Sequence, residues 1–181
     1  MTTLETERLT LREFEKSDLQ AIHEYASDPE VVRYMAWGPN TEEDTQEFLQ
    51  RAFDRRRAQP RTEYGLAVIL KAENRLIGSG GIYINPDHKE AELGYCFNRR
   101  FWGQGYATEA AWAFVVFGFE ELGLHRIYAT CDPANVASAR VMEKIPMQRE
   151  GHLREHRWMK GKWRDSYLYA ILEQEWDQDR A

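Results

Sequence analysis

The 181 residues carry 24 Lys and Arg against 30 Asp and Glu, a formal net charge of −6, which argues against broad nucleic-acid binding and suits a cationic, amine-bearing partner. At 43% hydrophobic and 13% aromatic, the chain reads as a single domain over residues 1–181 that buries close to 70% of its unfolded surface. No apolar run approaches the roughly 20 residues of a membrane helix.

The two cysteines, Cys96 and Cys131, have no Cys-x-x-Cys spacing and fit reduced core thiols better than a disulfide frame or a zinc site. The start Met1-Thr2-Thr3-Leu4-Glu5 lacks a basic, apolar leader, so a cytoplasmic protein is expected. Along residues 9–14, Leu9, Leu11 and Phe14 alternate with polar neighbours and predict a first strand. Ser17 is the expected cap of a helix over residues 18–26, with Leu19, Ile22 and Tyr25 as its stripe. A short helical piece with Val31, Val32 and Tyr34 leads to the loop Met35-Ala36-Trp37-Gly38-Pro39. Trp37 is a candidate wall of a substrate pocket; helix-to-helix packing is its other reading.

Residues 41–57 read as a helix with Thr45, Phe48, Leu49, Ala52 and Phe53 inward. Arg51, Arg55, Arg56 and Arg57 then form a solvated face, which the acidic whole favours over a nucleic-acid patch. Residues 64–70 and 76–84 make a hairpin, Asn85-Pro86-Asp87-His88 a turn, and residues 90–97 a strand in which Gly94 permits a bulge. Later come a strand over 126–131, a helix over 136–145, and a long hairpin, 147–158 with 163–172, around Lys160-Gly161-Lys162.

Between the strand at 90–97 and the helix that follows it runs Arg99-Arg100-Phe101-Trp102-Gly103-Gln104-Gly105-Tyr106-Ala107-Thr108-Glu109-Ala110. Gly103 and Gly105 allow a tight turn and close approach to the amides. The helix start leaves N–H groups unpaired, an anion site suited to phosphate. Two glycines alone also describe an ordinary strand-to-helix turn. The dinucleotide fingerprint fails because Thr108 stands where a third glycine belongs, and no Gly-Lys-Ser/Thr follows for a Walker loop.

The whole run resembles the acyl-CoA motif of the GNAT superfamily of N-acyltransferases, Gln/Arg-x-x-Gly-x-Gly/Ala, and more closely its RimJ/RimL-like branch. Two registers fit, Arg100-x-x-Gly103-x-Gly105 and the preferred Trp102-x-x-Gly105-x-Ala107. A second signature, Asn135-Val136-Ala137-Ser138 through Glu143-Lys144, resembles Asn-x-x-Ser-x-x-hydrophobic-x-Glu-Lys. The opening Thr6-Glu7-Arg8-Leu9-Thr10-Leu11-Arg12 and the ending Tyr167-Leu168-Tyr169-Ala170 extend the likeness over nearly the full chain. One departure is Lys144-Ile145-Pro146-Met147, where the family has Lys-x-Gly. Proline, with φ near −65°, cannot form a left-handed cap, so this turn must close differently.

The resemblance implies an α/β fold of α+β type, with a mixed, mostly antiparallel sheet of about seven strands, helices on both faces, and a splay between the fourth and fifth strands. It implies acetyl-CoA as co-substrate, held by Gly103, Gln104, Gly105, Tyr106, Ala107 and Thr108 at the pyrophosphate, by Tyr95, Cys96 and Phe97 along the pantetheine, and by Asn135 and Ser138. The partners implied are acetyl-CoA and an amine acceptor, with a homodimer left open and neither nucleic acid nor membrane expected.

Acetyl transfer needs a neutral amine, a donor for the oxyanion and a proton for the leaving sulfur. An amide near Phe97 is the oxyanion donor by analogy. Some relatives carry a Tyr acid one turn beyond the serine, but Met142 stands there, leaving Ser138 as the acid. Glu92 is the first candidate base. RimL-like enzymes use a hairpin glutamate whose place here is Arg157, with Glu155 and His156 nearby and water as a further choice. Trp37 and Glu155 are the substrate-side candidates. His152 and His156 would lie some 13 Å apart in a strand, and His23, His88 and His125 stand singly, so no metal is expected. The leading acceptor is a protein N-terminal α-amine; polyamines, aminoglycosides and amino-acid-like molecules stay open, as does a non-catalytic acyl-CoA sensor.

Overall fold

The structure is a computed structural model that describes residues 1–87 and 89–178; the turn residue His88 lies outside the described residues. Period-two alternation and short polar turns produce β1 (Thr3–Glu5), β2 (Leu9–Arg12), β3 (Glu63–Leu70), β4 (Arg75–Asn85), β5 (Glu90–Phe97), β6 (Arg126–Cys131), β7 (Gln148–Met159) and β8 (Lys162–Leu172). They form one sheet in the order β1-β2-β3-β4-β5-β6-β8-β7. The count exceeds seven because Thr3–Glu5 adds an edge strand, Leu4 opposite Leu11. Every neighbouring pair is antiparallel except β5 and β6.

That parallel pair has only three rungs, Glu90 with Arg126, Ala91 with Ile127 and Glu92 with Tyr128. Beyond them β5 follows β4 as far as Phe97 opposite Gly78, while β6 follows β8 as far as Cys131 opposite Tyr167. The two strands therefore splay. The bulge expected at Gly94 is not the cause, since the ladder of β5 with β4 runs without a register shift. The opening lies on the other edge, where each strand is held to its outer neighbour by a longer ladder than the one the two share.

Helices α1 (Leu19–Ala26) and α2 (Glu42–Arg57) cover one face; α3 (Tyr106–Glu120) and α4 (Val136–Lys144) cover the other. Two cores result. Phe114 of α3, fully buried, packs with Leu66, Ile82 and Ile127 on one side, and Tyr25 and Leu49 pack with Ile69 and Cys96 on the other. Gly80 must stay glycine, because an added Cβ would meet the Phe114 ring at 2.8 Å. Removing the Phe114 ring would cost about 3–5 kcal/mol. No helix among the described residues is long and apolar enough to cross a membrane.

Two local expectations change. Ser17 is not the cap: Lys16–Asp18 is a 3-10 turn closed by Glu15 and Asp18, and Arg12 draws Asp18 inward at 2.8 Å. Residues 29–37 form turns instead of a helix. They are pinned from outside by Tyr34 Oη donating to the Ala134 carbonyl (3.2 Å) and Lys160 Nζ to that of Val32 (2.7 Å). After α4, Pro146 is accommodated without a left-handed residue: Ile145 sits at φ −98° and the Met147 amide reaches back to the Met142 carbonyl at 3.0 Å. A last helix, α5 (Glu173–Gln178), follows β8 unanticipated, and its Trp176 packs on Phe119 with ring centres 5.5 Å apart.

Candidate active site

From β5 the chain enters a loop built to turn sharply. Asn98 Oδ1 accepts from the Arg100 amide (3.0 Å), Arg99–Phe101 makes a 3-10 turn, and Trp102 Nε1 donates to the Phe97 carbonyl at 2.8 Å. Gly103 (φ 74°) and Gly105 (φ 84°) are left-handed, a region costly for residues with a Cβ. Gly105 is the N-cap of α3 and supplies no side-chain cap, so the amides of Tyr106, Ala107 and Thr108 are free of intrahelical acceptors. Nothing lies within 4 Å of a Cβ built on Gly103. The loop thus presents open backbone beside a positive helix end, which fits a diphosphate. Arg100 turns to Glu24, 3.5 Å away.

Sequence reasoning missed what holds this loop. Arg8, in the bend just before β2, donates from Nη1 to the Gln104 carbonyl (3.0 Å) and from Nε to Glu109 Oε2 (2.6 Å), and its guanidinium lies 4.5 Å over the Tyr106 ring. Glu109 Oε1 also accepts from the Arg8 amide (2.8 Å) and Thr6 Oγ1 (2.6 Å). Burial alone would raise the Glu109 carboxyl, but these donors outweigh it and hold it below its ordinary value. The Thr-Glu-Arg opening was visible as a family mark; only the fold brings it onto the loop.

Across the splay, α4 begins with Asn135, whose Oδ1 accepts from the Ser138 amide at 3.2 Å. Asn135 and Ser138 thus meet as cap and capped residue. Tyr95 reaches the same point from β5, its phenol 3.0 Å from Ser138 Oγ. Met142 is fully buried in the core, so no hydroxyl stands one turn on. Cys96 lies on the opposite face of β5, and burial pushes its thiol up to about 12. At neutral pH it is a thiol and so a poor nucleophile.

On the α1–α2 face a cavity of about 510 Å³ has Gly94, Tyr95 and Cys96 among its lining, with Phe14, Tyr25, Trp37, Phe48 and Tyr83 around it. Trp37 is thus a cavity wall and is 41% exposed. Arg51 and Arg55, expected on a solvated face only, also line it, together with Arg61, Asp44 and Glu63. Both carboxylates are engaged: Glu63 lies 2.9 Å from Arg55 as an ion pair, and Asp44 accepts from Thr41 in the cap of α2.

Glu92 stands on the last rung shared by β5 and β6. Its Oε1 accepts from Arg157 Nη2 (2.7 Å) and from Thr130 Oγ1 (3.3 Å). Glu155 and His156 sit in a bulge of β7 between Leu153 and Arg157. Glu155 is exposed at φ 49°, and its amide donates to Asp165 Oδ1 at 2.9 Å. His156 Nδ1 is 3.1 Å from Ser166 Oγ, and His152 Nε2 is 2.7 Å from Asp165 Oδ2. The structure joins Glu92 to Arg157 but gives Glu155 a backbone role in the bulge. No group of three metal-ligating side chains occurs among the described residues.

Residues 8–148 match the family model described as acetyltransferase (GNAT) domain. The chain is 43% identical to the uncharacterized N-acetyltransferase YnaD of Bacillus subtilis (strain 168), over 95% of this chain and 98% of that protein. Among solved structures, an acetyltransferase (GNAT family) from Bacillus anthracis superposes with a TM-score of 0.86 at 41% identity, covering 96% of this chain and all of that one. A spermidine N-acetyltransferase from Vibrio cholerae, solved with CoA and spermine, gives 0.81 at 25% identity, covering 94% and 99%.

Proposed function

The chain belongs to the GNAT family of N-acetyltransferases, and from that premise we propose that it acetylates a primary α-amine, with a protein N-terminus as the leading acceptor in the RimJ/RimL-like manner. Acetyl-CoA supplies an activated acetyl thioester when bound. The loop from Gly103 to Thr108 holds the pyrophosphate, and the β5 edge at Tyr95, Cys96 and Phe97 runs beside the pantetheine, with a Phe97-region amide meeting the developing oxyanion. The amine attacks directly in a ternary complex; burial raises the thiols of both Cys96 and Cys131, which suits neither to a covalent relay.

One observation carries the choice of acceptor. The two carboxylates lining the acceptor cavity are already engaged by Arg55 and Thr41, and three arginines line it with them. A polycation would have to compete with Arg55 and the α2 cap for these carboxylates. An α-amine, with a pKa of about 7.7–8.0, is largely neutral near pH 7.5 and needs only a weak base. Glu92 serves as that base. Arg157 Nη2 donates to its Oε1 and holds it in place, so the carboxylate that RimL-like enzymes carry on the hairpin is supplied here from β5, with the hairpin contributing its cation. Ser138 donates to the leaving sulfur.

A polyamine acceptor is the second reading, favoured by the likeness to the Vibrio cholerae spermidine enzyme. Release of free CoA from acetyl-CoA, measured across N-terminal peptides, polyamines, aminoglycosides and amino acids, separates them. Turnover restricted to α-amines is expected. Turnover on spermidine alone overturns the acceptor assignment, and tight acetyl-CoA binding without turnover on any amine returns the chain to the sensor reading.

A further inference from the structure

A serine hydroxyl rotates among three staggered wells, and its proton serves a leaving group only when something fixes its direction. Ser138 is the single hydroxyl-bearing residue of α4, since Val136–Lys144 reads Val-Ala-Ser-Ala-Arg-Val-Met-Glu-Lys. Its backbone is fixed by Asn135. Its side chain meets a partner that no motif anticipated: the Tyr95 hydroxyl, 3.0 Å from Ser138 Oγ and 3.2 Å from the Ser138 carbonyl oxygen.

We propose that Tyr95 is a positioning residue for the leaving group: its phenol, delivered from β5 across the splay, donates to Ser138 Oγ and so turns the serine proton toward the coenzyme sulfur. The proposal rests on the acetyl-transfer reading above. Tyr95 packs against the core of Phe114 and Ile127, which holds the ring. A phenol that donates to Ser138 Oγ occupies a lone pair there, leaving the serine proton for another acceptor. Burial raises the phenol above its ordinary value, so Tyr95 keeps its own proton through turnover. In the step itself the C–N bond forms and the C–S bond breaks with its electron pair on sulfur. Glu92 takes the proton lost by the amine nitrogen and releases it to solvent, while Ser138 gives its proton to sulfur and regains one from solvent, so both residues end turnover as they began. Tyr95 thus orients the acid from the strand, while Ser138 takes the role that some relatives give to a helix tyrosine and that Met142 cannot fill.

The test uses the full chain, and wild-type turnover with its best amine is established first, so that failure of the acetyl-transfer reading shows there and nowhere else. Tyr95→Phe keeps the ring and removes the hydroxyl. Its kcat should fall about tenfold, the loss of one hydrogen bond acting on charge, with KM for acetyl-CoA unchanged. Tyr95→Phe with Ser138→Ala should be no slower than Ser138→Ala alone, because both act through one proton.

A second readout needs no turnover. The CoA thiol is a simple alkyl thiol and a weaker acid than cysteine at about 8.5; at a pH above its own pKa it is mostly thiolate, and calorimetry there compares CoA with desulfo-CoA. Wild type should favour CoA several-fold, and Tyr95→Phe should lose that preference while binding desulfo-CoA as before. If Tyr95→Phe does not fold by thermal melt, Tyr95→Met carries the same comparison. Unchanged kcat, additive losses in the double variant, or a retained thiolate preference would each overturn the proposal.

Discussion

On the α3–α4 side of β5, where the coenzyme is proposed to lie, the site is mostly backbone: two left-handed glycines, the free amides of a helix start, and one hydroxyl pair. On the α1–α2 side it is mostly side chains, contributed by the 29–40 loop, α2, β3, β4 and the distant β7–β8 hairpin. Backbone sites tolerate side-chain drift but fail when the main-chain conformation is lost. Side-chain sites degrade by degrees, and their specificity changes with each substitution.

If that contrast is right, the largest effect comes from the backbone side. Gly105→Val places a β-branched residue at φ 84° and its Cβ 3.3 Å from Arg8, so calorimetric affinity for acetyl-CoA should drop by about hundredfold or more. Unchanged affinity would move the phosphate site elsewhere. Next is Glu92→Gln, expected to lower kcat about hundredfold, as removal of a general base does, while acetyl-CoA affinity stays constant. A variant with wild-type kcat leaves Glu92 as a structural partner of Arg157.

A tenfold-range effect is expected for Arg8→Ala, which removes the strap on the Gln104 carbonyl and should weaken acetyl-CoA about tenfold without altering the acceptor KM. Its partner gives a pH signature. Because Glu109 is held below its ordinary pKa, the stabilisation it provides is present above the unfolded value, near 4.3, and is lost as pH falls through the folded value. Melting temperature should therefore fall more steeply with acid in wild type than in Glu109→Gln; parallel curves would deny the carboxylate this role. The smallest effect is Trp37→Ala, with acceptor KM raised about threefold to tenfold, as for lost apolar contact, and acetyl-CoA KM unmoved. A change in the coenzyme KM instead would place Trp37 on the wrong side of β5.

What could be read beforehand follows the same division. The loop at 103–108 and the Asn135–Ser138 cap are local in sequence, so glycine pattern and helix-start chemistry expose them without a fold. The eighth strand escaped because three residues are too few for alternation to register, and the 29–37 turns escaped because Val31, Val32 and Tyr34 also suit a helix stripe. The arginines of α2 looked like an outer face, since helical period alone does not reveal that β3 and β4 wall a cavity opposite Arg51 and Arg55.

The sequence by itself determined the order of the main strands and helices, without the edge strand β1 and the last helix α5, and it determined the glycine loop and its proposed ligand class, because propensity, capping and glycine conformation act over a few residues. Only the tertiary structure decided that Arg8 clamps the loop through Glu109, that Tyr95 meets Ser138, and that Glu92 faces Arg157. These pairs are separated by 101, 43 and 65 positions. Contacts of that range are set by sheet order and by which face each residue takes, and neither is carried by any local pattern.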